Sequence, residues 1–197
     1  DIKLQLEQAK ARLSGKNHGE HFIAYFQSFT NTYADVDTLR NLFLPAISEP
    51  SVVGLSVATR PDCLPQNVIE LINELNHIKP VFIELGLQTI HEKTAQFIRR
   101  GYELKTYDEA VASLQKTGVH IITHMILGLP GETKEMMMQT AKHIGNVGSH
   151  GIKLQLLHVL KGTDLATFYE GGIFKTLSET EYIDALCECV LSLPNGI

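Results

Sequence analysis

The chain has 197 residues, 44% of them hydrophobic, and a formal net charge of −5. That is enough for one globular domain with a full core, and it excludes a disordered chain; no run of eighteen apolar residues occurs, which excludes a membrane-spanning helix, and the acid balance gives no strong nucleic-acid signal. The three cysteines, Cys63, Cys187 and Cys189, are an odd number that makes a poor disulfide framework and fits a reducing, cytoplasmic compartment.

Residues 2–13 carry Leu6, Ala9 and Leu13 on one stripe, which predicts a helix. A polar connection over 15–19 leads to an apolar, aromatic strand at 22–27 with the tip Gln27-Ser28-Phe29-Thr30-Asn31. Val36, Leu39, Phe43 and Ile47 place a helix over 35–47, and Pro50-Ser51 breaks it. The next strand is 52–58, with Thr59-Arg60-Pro61-Asp62 at its tip. Val68, Leu71, Ile72, Leu75 and Ile78 recur at helical spacing over 67–78. The third strand, 81–87, ends in Gln88-Thr89, and a short helix is expected over 91–100.

Thr106 with Glu109 three residues later predicts a capping box and a further helix, followed by Gly118. The fourth strand, 120–127, runs into Gly128-Leu129-Pro130-Gly131-Glu132-Thr133. Pro130-Gly131 is the pair a type II turn needs, since proline fixes φ at its second position and glycine supplies positive φ at its third. Thr133 then caps a helix over 134–147. The fifth strand is 152–157, and Ser178 with Glu181 forms a second capping box for a helix reaching about residue 193.

Strand and helix thus alternate five times, the pattern of a parallel sheet with right-handed crossovers. Each strand ends in a polar tip, the edge where ligands bind in parallel α/β folds. No Gly-x-Gly-x-x-Gly follows the first strand, which argues against a dinucleotide site. In the third strand Val81, Ile83, Leu85 and Leu87 form an aliphatic face for helices. Phe82, Glu84, Gly86 and Gln88 form the other face. A buried carboxylate beside an amide requires partners, from a neighbouring strand or from a ligand.

Four motifs occur in order: Glu84-Leu-Gly-Leu-Gln88-Thr, Arg99-Arg100-Gly101-Tyr102, Met125-Ile-Leu-Gly-Leu-Pro-Gly-Glu-Thr133 and Lys161-Gly162-Thr163-Asp164-Leu165. Together they resemble radical S-adenosylmethionine (SAM) enzymes. The matching branch contains oxygen-independent coproporphyrinogen dehydrogenase, the elongator acetyltransferase subunit and the bacterial YhcC-like group. The resemblance covers nearly all of residues 20–170. It implies a partial (β/α)6 TIM-like barrel of parallel strands and outer helices, with SAM and a [4Fe-4S] cluster as cofactors. It further implies an oxidoreductase-type chemistry in which cleaved SAM yields a 5′-deoxyadenosyl radical that abstracts hydrogen from a substrate, here unknown.

The family's three-cysteine cluster motif has no counterpart in this sequence, and no residue is assigned as a metal ligand or as catalytic. The expectation is a single core domain over 1–197 whose first strand and cluster loop precede residue 1, an inactive piece of an active parent. Its unpaired first strand would then be a place for self-association.

By resemblance, the Gln27–Asn31 tip stands where the family carries a glycine-rich motif near the methionine amino group. Thr59 stands near a ribose-binding acid position that Ala58 occupies here. Gln88 matches a glutamine near the ribose, Arg100 an arginine for the methionine carboxylate, and His124 a ribose-binding aspartate. Ile126, Gly128, Leu129 and Val159 match the adenine pocket.

Other readings stay open on the residues alone. Lys153 in the fifth strand is the lysine a Schiff-base aldolase would use if desolvated. Nine histidines invite a metal hydrolase, but His120 and His124 on one strand face stand roughly 13 Å apart, too far for one zinc. His18-x-x-His21 lies in a polar loop. A non-catalytic binding module is the third alternative.

Overall fold

The computed structural model describes residues 2–13 and 19–197; residues 15–18 of the polar connection, His18 included, lie outside them. Five strands form one sheet in the order β1 (Phe22–Phe26), β2 (Val52–Thr59), β3 (Val81–Gln88), β4 (His120–Leu127) and β5 (Gly151–Leu156). All five are parallel. Phe26 stands opposite Val57, and Ser56 and Ala58 oppose Phe82 and Glu84. The helices are α1 (Ile2–Leu13), α2 (Val36–Ile47), α3 (Gln66–Asn76), α4 (Glu92–Phe97), α5 (Leu104–Gln115), α6 (Lys134–Asn146), α7 (Asp164–Glu170) and α8 (Glu179–Leu191). The chain divides into two compact units, Asp1–Leu85 with Glu109–Ile122, and Gly86–Asp108 with Thr123–Ile197.

The first unit is built on β1, β2 and the start of β3. Asp35 ends its loop by accepting the Thr38 amide at 2.8 Å, which starts α2. The helix then buries Leu39, Phe43 and Ile47. Phe43 meets Phe26 edge-on, with ring centroids 5.1 Å apart. Leu55, Val57, Leu71, Leu75, Val81 and Ile83 complete the core. On the opposite face of β3, Glu84 accepts from Tyr25 Oη at 2.7 Å and from Ser56 Oγ at 2.8 Å. The neighbouring strands therefore supply the partners that its burial demands. Phe82 stacks on His120 at 4.9 Å.

The second unit carries the ends of β3 and β4, then β5. Leu87, Met125, Leu127, Leu129, Met137, Ile144 and Cys189 form its core. Thr133 accepts the Met136 amide and starts α6 as expected. Ser178 and Glu181 form the full capping box of α8, which ends at Leu191. Tyr107, fully buried, bonds Thr123 Oγ1 at 2.8 Å, and Thr123 bonds Ser149 Oγ at 2.8 Å. Burial holds the Tyr107 phenol well above its ordinary range.

Three sequence expectations are corrected. Thr106 does not cap α5, which begins two residues earlier because the Glu92 carboxylate accepts the Leu104 amide at 2.8 Å. The helix expected over 91–100 stops at Phe97, since Arg99 takes the left-handed conformation at φ 56°. The helix α7, capped by Thr163, was not foreseen.

Candidate functional site

The C-terminal tip of β4 is the turn the sequence describes. Pro130 and Gly131 are its central residues, Gly131 has φ 83°, and the Glu132 amide closes it on Leu129 O at 3.1 Å. Gly128 is also left-handed, at φ 82°, and its bare Cα faces Leu177. A Cβ there would lie 3.1 Å from Leu177 Cγ and Cδ1, so this glycine admits a protein side chain into close packing. Its amide donates to Met137 Sδ at 3.3 Å. Leu129 is buried, while His124 and Ile126 are half-buried on the more open face of β4. Val159, half-buried, follows β5, which is tied to β4 by Leu157 N to Leu127 O at 3.0 Å.

The tip of β3 is stranger. Gln88 holds φ 69°, a conformation a residue with a Cβ keeps only when its surroundings impose it. Its side chain folds back over Gly86: a Cβ on Gly86 would meet Gln88 Nε2 at 2.8 Å. The Gln88 Oε1 atom is buried without a hydrogen-bond partner. An unmet buried acceptor costs on the order of 1–3 kcal/mol, so this atom is set for a donor that the described residues do not provide.

Thr89, the next residue, is a hub. Its amide donates to Leu87 O at 2.9 Å, its hydroxyl accepts from His91 N at 3.0 Å and donates to Glu132 Oε1 at 2.5 Å. Its carbonyl accepts from Arg100 Nη1 at 2.6 Å. Arg100 also donates Nε and Nη2 to Tyr102 O at 2.9 and 2.7 Å, and Nη2 to Glu92 Oε1 at 2.9 Å. Its side chain is 2% exposed, and it lies over the Tyr102 ring at 4.8 Å. Tyr102 in turn donates its hydroxyl to Gly86 O. The guanidinium fork expected to meet a ligand carboxylate is directed inward and holds the segment from Thr89 to Tyr102 together.

Gln88, Arg100, His124, Ile126, Gly128, Leu129 and Val159 all belong to the second unit; Thr59 belongs to the first. Thr59 is buried and its hydroxyl bonds Thr32 Oγ1 at 2.6 Å, so it anchors the β1–α2 loop. That loop is firmly held. Thr32 Oγ1 reaches Cys63 O at 2.5 Å, and Asn31 Nδ2 donates to Phe26 O at 3.0 Å and Ala58 O at 2.9 Å. Yet Phe29 is 96% and Tyr33 82% exposed. Lys153 is half-buried in the third position of β5.

Sequence reading missed Thr89, Glu92, Tyr102 and Glu132, the residues that fix the site. A carboxylate just after a Pro-Gly turn, Glu132, was the available signal; its partner 43 positions away was not. Glu132 is half-buried, and burial raises its pKa against the lowering effects of the Thr89 bond, of His91 and of the Thr94 hydroxyl.

The cysteines do not fit an iron–sulfur cluster, which needs thiolates. Among the described residues no group of three Cys, His, Asp or Glu side chains is placed to hold a metal. Burial raises the Cys63 thiol and pushes Cys189 up to about 11, while Cys187 is exposed on α8. No helix of the described residues is long and apolar enough to cross a membrane.

Comparison with known proteins gives this arrangement a context. The description of the Radical SAM superfamily matches residues 3–144, and that of the Radical_SAM C-terminal domain matches residues 149–197. The Bacillus subtilis protein YtqA is 43% identical over 98% of this chain and 60% of its own length. Escherichia coli YhcC is 35% identical over 95% of the chain and 61% of its own length. The chain thus spans about three fifths of these relatives. The archaeal Methanocaldococcus infernus Elp3 structure superposes over the whole chain and 51% of its own, with a TM-score of 0.85 at 22% identity. The Escherichia coli coproporphyrinogen III oxidase HemN covers 86% of this chain and 39% of its own at a TM-score of 0.68 and 15% identity. These two show the fold, a partial TIM-like barrel.

Proposed function

This chain belongs to the radical SAM superfamily, and from that premise we propose that its second unit binds the adenosyl half of S-adenosylmethionine. The observation that carries the reading is Gln88 Oε1, a buried acceptor with no partner on a strained residue at a strand tip. A ribose hydroxyl is a donor of the right kind to satisfy it. His124, half-buried, lies on the neighbouring strand β4. Ile126 and Val159, both half-buried, supply apolar surface that an adenine ring packs against. Arg100 holds the Gln88–Thr89 backbone in place, so the acceptor is preorganised. When bound and reduced, SAM supplies a 5′-deoxyadenosyl radical for hydrogen abstraction. The cluster that delivers the electron would be held by residues other than Cys63, Cys187 and Cys189. The whole protein is then a cytoplasmic radical SAM enzyme.

Calorimetry with adenosine and with SAM tests the site. Both ligands are expected to bind this chain with similar weak affinity, since their shared half makes the contacts. Gln88→Leu should weaken each by about tenfold, the value of one lost hydrogen bond to a buried group. Binding unchanged in Gln88→Leu removes the basis of the reading.

A second reading concerns the substrate. Two archaeal relatives, from Methanocaldococcus jannaschii and Methanocaldococcus infernus, each 26% identical over about three quarters of this chain, bear the name tRNA uridine(34) acetyltransferase. We infer a nucleobase-bearing substrate for this chain as well, on the strength of Phe29 and Tyr33. Both rings are exposed on a loop whose backbone is fixed, and a base can stack on such a ring. The chain has six tyrosines and no tryptophan, so tyrosine fluorescence can follow a titration with a uridine trinucleotide. Phe29→Ala or Tyr33→Ala should weaken it by about tenfold, and ribose 5-phosphate should not bind. Equal binding of the sugar phosphate, or unaltered binding by both variants, sinks the inference.

A further inference from the structure

We propose that Glu132 is a positioning residue for the adenosine site: by accepting the Thr89 hydroxyl it braces the segment carrying Gln88 against the turn carrying Gly128 and Leu129. The inference rests on the reading of the second unit given above.

The direction of the bond is fixed by its neighbour. The His91 amide can only donate, and it donates to Thr89 Oγ1 at 3.0 Å. The Thr89 proton is therefore free to go to Glu132 Oε1, 2.5 Å away. Two other contacts cross the same seam, His91 Nε2 with Met136 O at 2.9 Å and Ile90 N to Thr140 Oγ1 at 3.4 Å. Both end on α6. Glu132 is the crossing point that lies in the turn itself, one residue past Gly131. Thr89 immediately follows Gln88, and the left-handed backbone of Gln88 persists only while the residues on either side are held. Thr89 is fully buried and bonded through its amide, hydroxyl and carbonyl, so it is the holder on the C-terminal side.

The location of Glu132 is costly for the chain. Its carboxyl is desolvated enough to raise its pKa, against the lowering effect of the Thr89 and Thr94 hydroxyls. An acceptor that must reach Thr89 from the turn accounts for that cost.

The test uses this chain with adenosine as the probe, followed by ligand-observed NMR, together with amide hydrogen exchange. Glu132→Ala should weaken adenosine by about tenfold, and Glu132→Gln, which keeps an acceptor oxygen, should restore it. Thr89→Val should match Glu132→Ala, Thr89→Ser should bind like the parent, and the double variant should be no weaker than either single one. In Glu132→Ala the Gln88 and Thr89 amides should exchange faster, and in Glu132→Gln they should return to the parent rate. Folded Glu132→Ala that binds adenosine as the parent does overturns the brace, as does a Glu132→Gln variant no better than Glu132→Ala. If the parent itself fails to bind adenosine, the adenosyl reading falls, and the exchange rates alone judge the brace: unchanged rates in Glu132→Ala reject it.

Discussion

Two strand tips hold a non-glycine residue in left-handed backbone, Phe29 after β1 at φ 63° and Gln88 at the end of β3 at φ 69°. Each is fixed from the side by polar anchors. Asn31 and Thr32 bind the first loop to Phe26, Ala58, Thr59 and Cys63. Thr89, Arg100 and Tyr102 bind the second to Glu132, Glu92 and Gly86. The strain is of one kind, but what it presents differs. Phe29 projects its ring into solvent. Gln88 folds its amide inward and leaves a buried oxygen unmet. The first arrangement offers a surface to whatever approaches; the second offers a specific valence to one donor. The same backbone strain thus holds an exposed ring at one tip and a buried amide at the other.

The comparison can be broken most forcefully at Arg100. Arg100→Ala leaves the Thr89 and Tyr102 carbonyls without their donor, and should lower stability by about 2–4 kcal/mol in urea unfolding. Arg100→Lys should recover less than half of this, since one ammonium cannot reach acceptors that a planar fork spans. A loss under about 1 kcal/mol would mean that water replaces the guanidinium and that the second tip is not held as described.

A smaller effect sharpens the contrast. Phe29→Gly and Gln88→Gly both remove the steric cost of positive φ, and each should raise stability by about 0.5–1 kcal/mol, the relief being partly offset by the added freedom of the unfolded chain. Only Gln88→Gly should also weaken adenosine binding, by about the same tenfold as Gln88→Leu. Should Phe29→Gly destabilise the chain instead, its ring is making contacts that its exposure denies.

The strands were legible because their signal is local. Alternation in β3 placed Val81, Ile83, Leu85 and Leu87 inside, and all four are fully buried. Pro130-Gly131 and Thr133 specified their turn and cap because proline, glycine and threonine act on their own backbone. The ordered motifs identified the family for the same reason, and the positions of Gln88, Ile126 and Leu129 at strand tips followed. The misplaced start of α5 shows where this reasoning ends: Thr106 had the local credentials of a cap, but Glu92, twelve residues from Leu104, supplied the acceptor.

What the sequence determined by itself, then, is periodicity, turns and the order of elements, since each depends on residues within one or two turns of chain. The tertiary structure alone decided which polar groups meet. Arg100 had the shape to receive a carboxylate from outside, yet it faces Thr89, Tyr102 and Glu92 because the chain reverses at Arg99 and brings their oxygens around it. Glu132 finds Thr89 across 43 positions, and Gln88 Oε1 finds no hydrogen-bond partner among the described residues. Hydrogen bonding is short-ranged in space and indifferent to distance along the chain, so partners and vacancies are fixed only when the strands are side by side.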